Sequence, residues 1–546
     1  MTLAKSWLED CVERHSHCPP TLHLEDCPLP SRVLYVGSKS SNLRLYISDG
    51  AKGKYAALSY CWGPPPHPWK TTALSLKKRT ERIRLEELPK TMQDAIAITR
   101  NLSLSYLWID ALCIIQDSND WDSEADKMGE YYSNAIVTIS ADGSVDSRTG
   151  CFVQQDRRCS VTAPVTFQGK DAVVRVRTAS AWPFDGSHPP WASQSGELNK
   201  LSTRGWTLQE QLLSPRILHC TARELVWECV SRSACECKLR AEKPFGMRLK
   251  NRLIIENYRP RLASVMNVSN DLLAADGLLL RWNQVVYDFT LRNLTYASDR
   301  LPALSGLAAV MQKRMPSNNY FAGLWEEDFH MWLCWHTRIH NQEVSALKTT
   351  SSFEALSSRH ETYCAPTWSW ASITGSISMP LFDRKLWADG EARDSPMDIK
   401  LKVISISCVP AGQNCFGNLS SGELRCTGKL APVTLGKISA ADRLYIISNH
   451  STGEVTPTAL FYRDTYDNNG ELEIGRSYLL LIILSHRPPR NDIKYPSLMY
   501  GLLLLKIDFE RYKRVGLVIG YPDDTIGRYF TEDWETVSTE EEIIII

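Results

Sequence analysis

Short apolar runs and stretches of helical periodicity alternate through the first half of this chain. Tyr55-Ala56-Ala57-Leu58 is an apolar run that finishes in Ser59, Tyr60, Cys61 and Trp62, and Gly63 with Pro64-Pro65-Pro66 forces a loop directly after it. Met92, Ala95, Ile96 and Thr99 then share one helical face, behind Pro89 in a first turn where its missing N–H costs nothing. Tyr106 to Ile109 is a second apolar run, ending at Asp110. A helical stretch with Trp121, Glu124, Met128 and Tyr132 follows, and Ala135 to Ile139 is a third run. Strand, helix, strand, helix, strand predicts an α/β layer, with the stretch from Tyr106 to Ile139 at its centre. Ligands of open α/β sheets sit outside the carboxyl ends of the strands. Asp110 and Glu124 therefore stand where a polar pocket is built. Each also has a plainer reading, as a turn cap or as an acid placed by the helix dipole.

The flanking pattern divides the chain further. Residues 1–50 form a lead-in, with an amphipathic helix (Trp7, Leu8, Cys11, Val12) and short strands at Arg32 to Val36 and Leu43 to Ile47. Residues 51–230 are the α/β domain. Within it, residues 143–200 are loop-rich apart from a strand at Val173 to Val176. A helix begins near Trp206 and Pro215 ends it, and a hairpin joins Ile217 to Cys220 with Glu224 to Cys229. Arg204 and Glu210 are placed to reach a site, or simply to pair with each other. Residues 231–365 read as mainly helical. Residues 366–546 read as a β-rich sandwich or barrel-like module, with Glu540 to Ile546 as a frayed end.

Composition narrows the function classes. The 62 basic and 62 acidic residues cancel, so no global field favours nucleic acid or an anionic membrane. Met1 to Val12 lacks the apolar core of a signal peptide, and no run approaches the ~20 residues that span a bilayer. A cytoplasmic protein is expected, with its 16 cysteines as thiols. Cys11, His15 and Cys18 have the chemistry of three zinc ligands, with Cys27, Cys235 or Cys237 as the fourth; buried thiols beside an exposed histidine are the plainer alternative. P-loop, dinucleotide-fingerprint, nucleophile-elbow and His-Glu-x-x-His motifs are all absent.

Three blocks taken together resemble the heterokaryon-incompatibility (HET) domain of filamentous fungi. They are Ala57-Leu58-Ser59-Tyr60-Cys61-Trp62-Gly63; Leu88-Pro89-Lys90-Thr91 with Asp94-Ala95-Ile96 and Tyr106 through Gln116; and Arg204-Gly205-Trp206-Thr207-Leu208-Gln209-Glu210. Cys61, at a variable position, and Cys151, where an aliphatic residue is usual, are small departures. The resemblance implies non-self recognition and programmed cell death, with self-association or other incompatibility proteins as partners and neither nucleic acid nor a membrane span. HET domains are also held to be distantly similar to TIR domains, some of which cleave NAD. That implies a TIR-like open sheet with flanking helices and NAD as substrate, with no cofactor assigned. On this analogy Glu124 is the catalytic acid, with Asp110 beside it. Ser59, Tyr60, Trp62, Arg204 and Glu210 would then bind substrate. The competing expectation is a module that triggers death through partners, without chemistry.

Overall fold

The computed structural model describes residues 2–15, 18, 27–38, 42–152, 160–167, 169–177, 199–222, 224–236, 238–242, 275–337, 357–379, 397–437, 445–449, 459–465, 472–473, 476–486, 498–520 and 538–546. Cys237 lies outside them. The chain divides into two compact units, Met1–Ser269 and Asn270–Ile546.

The first unit is built on one sheet. Its strands are β1 (Arg32–Tyr35), β2 (Arg44–Ile47), β3 (Tyr55–Ser59), β4 (Tyr106–Trp108), β5 (Val137–Ser140), β8 (Arg216–Cys220), β9 (Leu225–Cys229), β10 (Ser233–Cys235) and β11 (Lys238–Glu242). A separate hairpin, β6 (Ser160–Phe167) with β7 (Lys170–Arg177), interrupts the numbering. The spatial order is β11-β10-β9-β8-β5-β3-β4-β1-β2. Its centre, β4-β3-β5-β8, is parallel, and every outer pairing is antiparallel. β3, β5 and β8 are buried at every position, which suits parallel strands covered on both faces. β10 and β11 carry this sheet into the stretch just after residue 230, where the sequence pattern suggested a helical region.

Helices α1 (Thr2–Arg14), α2 (Ala73–Glu81), α3 (Lys90–Asn101), α4 (Asp110–Cys113), α5 (Asp120–Asn134) and α6 (Trp206–Leu213) make up the rest. The chain leaves β3 toward β4 but leaves β5 toward β8, in the opposite direction. Right-handed crossovers then put α3 on one face of the sheet and α5 and α6 on the other. Trp121 and Trp206 meet edge to face at 5.6 Å, fastening α5 to α6. The reversal of direction between β3 and β5 makes their carboxyl ends the topological switch point.

The second unit combines buried tryptophans with a barrel. Strand Leu419–Lys437 pairs with both Ser477–His486 and Thr539–Ile545, and Leu498–Lys506 and Arg511–Gly520 complete the circuit, so these strands close on themselves. Val433, Leu480, Leu503, Val515 and Val518 fill the core. Residues 540–546, expected to fray, instead form most of a barrel strand: Ile543, Ile544 and Ile545 are buried, and Arg425 pairs with Glu542 at 2.8 Å. The acidic run lies toward solvent and the isoleucines inside, so a charge-then-apolar end served as a strand. Trp282, Trp325, Trp332, Trp335, Trp368 and Trp370 are also buried. Trp282 and Trp370 both donate to the Gly323 carbonyl, at 2.9 and 3.2 Å. Gly323 has φ +93°, and a Cβ there would lie 2.7 Å from the Trp370 indole nitrogen. The Ala322-Gly323-Leu324-Trp325 and Trp368-Ser369-Trp370 motifs therefore pack on one another.

Among the described residues no helix is long and apolar enough to cross a membrane.

Candidate functional site

Residues from four elements converge at the switch point. Ser59 ends β3 and Ser140, its register partner, ends β5. Tyr60 and Trp62 follow Ser59, Asp110 follows β4, and α6 brings Glu210, with Arg204 just before it. Trp62 Nε1 donates to Asp110 Oδ2 at 2.8 Å, and the Ala111 amide donates to Asp110 Oδ1 at 2.7 Å. The arginine NH1 of Arg204 donates to the Tyr60 carbonyl at 2.5 Å. Trp62 extends into an aromatic rim, meeting His67 at 5.4 Å and Trp69 at 5.5 Å. Gly63 permits the turn that starts this rim: its φ is +84°, and a Cβ would fall 2.5 Å from Asp146 Cβ.

Among the described residues, both acids of this cluster feel the charge of Arg204. Burial pushes the Glu210 carboxyl up to about 7, against the hydroxyls of Ser59 and Tyr132 and the charge of Arg204, which favour its ionised form; the Asp110 charge raises it further. Burial also raises Asp110, against the Trp62 and Ala111 hydrogen bonds. The Tyr60 phenol is held well above its ordinary value by burial and by Asp110. Ser59 faces the Glu210 carboxyl and Tyr60 the Asp110 carboxyl, while Ser140 Oγ is buried without a hydrogen-bond partner among the described residues. The ends of β3 and β5 thus gather hydroxyls and buried carboxyls in one place.

Glu124 is not part of this constellation. It is 2% exposed, and its partners are Ser31 Oγ at 2.7 Å, Tyr131 OH at 3.0 Å, Lys127 Nζ at 3.2 Å and Arg32 at 3.7 Å. Arg32 also holds Asp120 at 2.5 Å and the Cys113 carbonyl at 2.6 Å. Asp120, in the first turn of α5, gives its carboxylate to Arg32 and to the Ile115 amide (2.8 Å). The network fastens α5 to β1. Glu124→Gln removes a buried charge from it and is expected to cost about 1–3 kcal/mol, read as a lower denaturation midpoint of the first unit.

The structure thus brings together Ser59, Tyr60, Trp62, Asp110, Arg204 and Glu210, and places Glu124 apart. Sequence reasoning missed Tyr132 and Ser140, and also the rim residues His67 and Trp69, whose only signal was an aromatic pair inside a proline-rich loop. A second buried cluster went unread as well. His219 on β8 meets Asp142 Oδ2 at 2.8 Å through Nδ1 and Glu228 Oε2 at 3.1 Å through Nε2. Burial opposes its protonation, but the two carboxylates outweigh it and lift His219 to about 9. At the N-terminus Cys11, His15 and Cys18 come together with Cys229, which was not among the expected fourth ligands.

The first unit is thus an α/β domain with a switch-point cluster of buried acids. Residues 55–210 match the family model described as heterokaryon incompatibility protein (HET), so the chain carries a HET domain over the segment that contains the whole cluster. No curated protein and no solved structure was found to match the chain.

Proposed function

We propose that this protein acts in fungal heterokaryon incompatibility, and that its HET domain is the effector, cleaving the N-glycosidic bond of NAD or a related dinucleotide. The observation that carries this is the pair Asp110 and Glu210, two buried acids beside Arg204 under an aromatic rim at the switch point of a doubly wound sheet. In the reaction the bond between ribosyl C1′ and the nicotinamide nitrogen breaks. Nicotinamide leaves with the electron pair, water bonds to C1′ and its proton passes to a carboxylate. A carboxylate stabilises the positive ribosyl centre more than it stabilises the substrate. Glu210, near 7, is suited to accept the proton at neutral pH. Asp110 would supply the charge, Arg204 would favour the dinucleotide phosphates, and Trp62 would stack on a base. The TIR analogy, followed residue by residue, assigns the acid to Glu124 instead. The bonded state of Glu124 favours a structural role for it.

The test is nicotinamide release from NAD by the purified full chain, beside Glu210→Gln, Asp110→Asn and Glu124→Gln. Turnover by wild type, a loss of at least about 100-fold in Glu210→Gln, and retained turnover in Glu124→Gln are expected. Loss in Glu124→Gln with wild-type Glu210→Gln activity would return the acid to Glu124. If the folded wild type cleaves nothing, the non-enzymatic reading takes precedence, in which the domain triggers death by assembling with partners.

A further inference from the structure

We infer that Cys11, His15, Cys18 and Cys229 form a closed tetrahedral zinc centre that fastens the N-terminal helix to the sheet of the first unit. The four ligand atoms lie within 4.8 Å of one another. His15 Nδ1 is 3.3 Å from Cys229 Sγ and 3.8 Å from Cys18 Sγ. A zinc ion with Zn–S of about 2.3 Å and Zn–N of about 2.0 Å sets its ligand atoms roughly 3.5–3.8 Å apart, so only small shifts separate this cluster from coordination. Three thiolates and one imidazole, with no exposed oxygen ligand, select zinc over magnesium or calcium.

The surroundings are those of a metal site rather than of four stray side chains. His15 presents Nδ1 to the thiols, and its buried Nε2 has no hydrogen bond among the described residues but faces Asp10 Oδ2 at 3.7 Å. A carboxylate behind the far nitrogen is how ligating histidines are oriented. Arg216 is fully buried and its Nε donates to Cys11 Sγ at 3.2 Å, a charge-assisted bond that a thiolate accepts better than a thiol. Cys18 Sγ lies 3.4 Å from Ser231 Oγ. Three thiolates around a dication leave one net negative charge, which Arg216 offsets.

The site's place in the chain gives its role. Three ligands come from α1 and the residues just after it, and the fourth ends β9. These segments stand on either side of the HET-matched stretch, 55–210. α1 buries only Ala4, Leu8 and Cys11, too little apolar surface to hold a short helix in place alone. Arg232, just beyond Cys229, reaches Asp10 at 3.4 Å from the same side. With four protein ligands the coordination is full, so the ion is structural and not a water activator.

The measurement is metal content of the full chain purified from zinc-containing medium. One zinc per chain is expected, with loss in Cys18→Ser and Cys229→Ser and retention in His15→Cys and in Cys415→Ser, an exposed cysteine elsewhere. Because a ligand variant can fail to fold, cobalt exchange into the wild-type chain serves as the second reading. Strong ligand-field bands of tetrahedral cobalt with sulfur charge transfer are expected, and chelation should lower the melting temperature. A wild-type chain without stoichiometric zinc after purification in excess zinc would overturn the inference. So would a disulfide among these cysteines in the freshly purified protein, or octahedral cobalt.

Discussion

Replacing Arg514 with methionine is expected to cost the second unit about 3–5 kcal/mol. Arg514 is fully buried on a barrel strand. Its guanidinium meets Asp464 twice, at 3.1 and 3.2 Å, donates to the Leu333 carbonyl at 2.7 Å and to the Trp335 carbonyl, and lies 3.5 Å above the Trp335 ring. One side chain thereby joins the barrel to the tryptophan-rich layer. Methionine keeps the length and the packing but strands the Asp464 carboxylate with Arg359, 3.7 Å away, and leaves two buried carbonyls without their donor. Much of the cost is that of a buried carboxylate left with the longer Arg359 contact in place of two close hydrogen bonds, so Arg514→Met with Asp464→Leu should recover part of it, a coupling readable from denaturant midpoints in a double-mutant cycle. A loss below about 1 kcal/mol in Arg514→Met would show that water reaches this network.

Arg514 also marks where the sequence stops being readable. Nothing in Arg511 to Gly520 separates an arginine buried against Trp335 and Asp464 from one that reaches solvent, because Asp464 sits some fifty residues earlier in chain order and the pairing exists only in the fold. By contrast, the α/β order of the first unit was legible, since β3, β4 and β5 appear as apolar runs and α3 and α5 carry helical periodicity. The strand-end cluster was partly legible for the same reason: Ser59, Tyr60, Trp62 and Asp110 stand immediately after apolar runs, and strand ends are where sites form. Glu210 was visible as an acid in the helix that Pro215 ends, and Arg204 as a cation just before it. What pattern could not supply was which acid faces which strand. Glu124 lies on the buried stripe of α5, as its spacing predicts, but that stripe meets β1 through Arg32 and not the switch point. Likewise the fourth partner of Cys11, His15 and Cys18 was expected at Cys27, Cys235 or Cys237 and is Cys229 instead, because spacing cannot say which of several distant cysteines the fold brings back across more than two hundred residues.

The first unit should lose stability steadily as pH rises from acid to mildly alkaline, in two separable windows. Glu210 is raised to about 7 from an ordinary value of 4.5, and His219 to about 9 from 6.5. A group whose folded pKa is raised binds its proton more tightly in the folded state. Its contribution is therefore full below the unfolded pKa and gone once pH has passed the folded one. For Glu210 the loss runs from about 4.5 to 7, and for His219 from about 6.5 to 9. Each is worth up to about 3 kcal/mol, since one pKa unit corresponds to 1.36 kcal/mol. The physical causes differ. Glu210 resists ionising because it is buried near Asp110, whereas the charged His219 ring donates to Asp142 through Nδ1 and to Glu228 through Nε2 and so resists losing a proton. Hydrogen exchange of β5, β8 and β9 as a function of pH reads the first unit without mixing in the second. Glu210→Gln should lessen the slope of the lower window, leaving the part supplied by Asp110, which burial also raises, and His219→Gln should lessen the upper. If His219→Gln left the slope between 6.5 and 9 unchanged, the imidazole would be neutral in the fold, and the Asp142–His219–Glu228 bridge would be an ordinary hydrogen-bonded chain. A Glu210 that stayed ionised at pH 5 would likewise remove the acid–base role proposed for it, because a carboxylate with an ordinary pKa has little affinity for the proton of an attacking water at neutral pH.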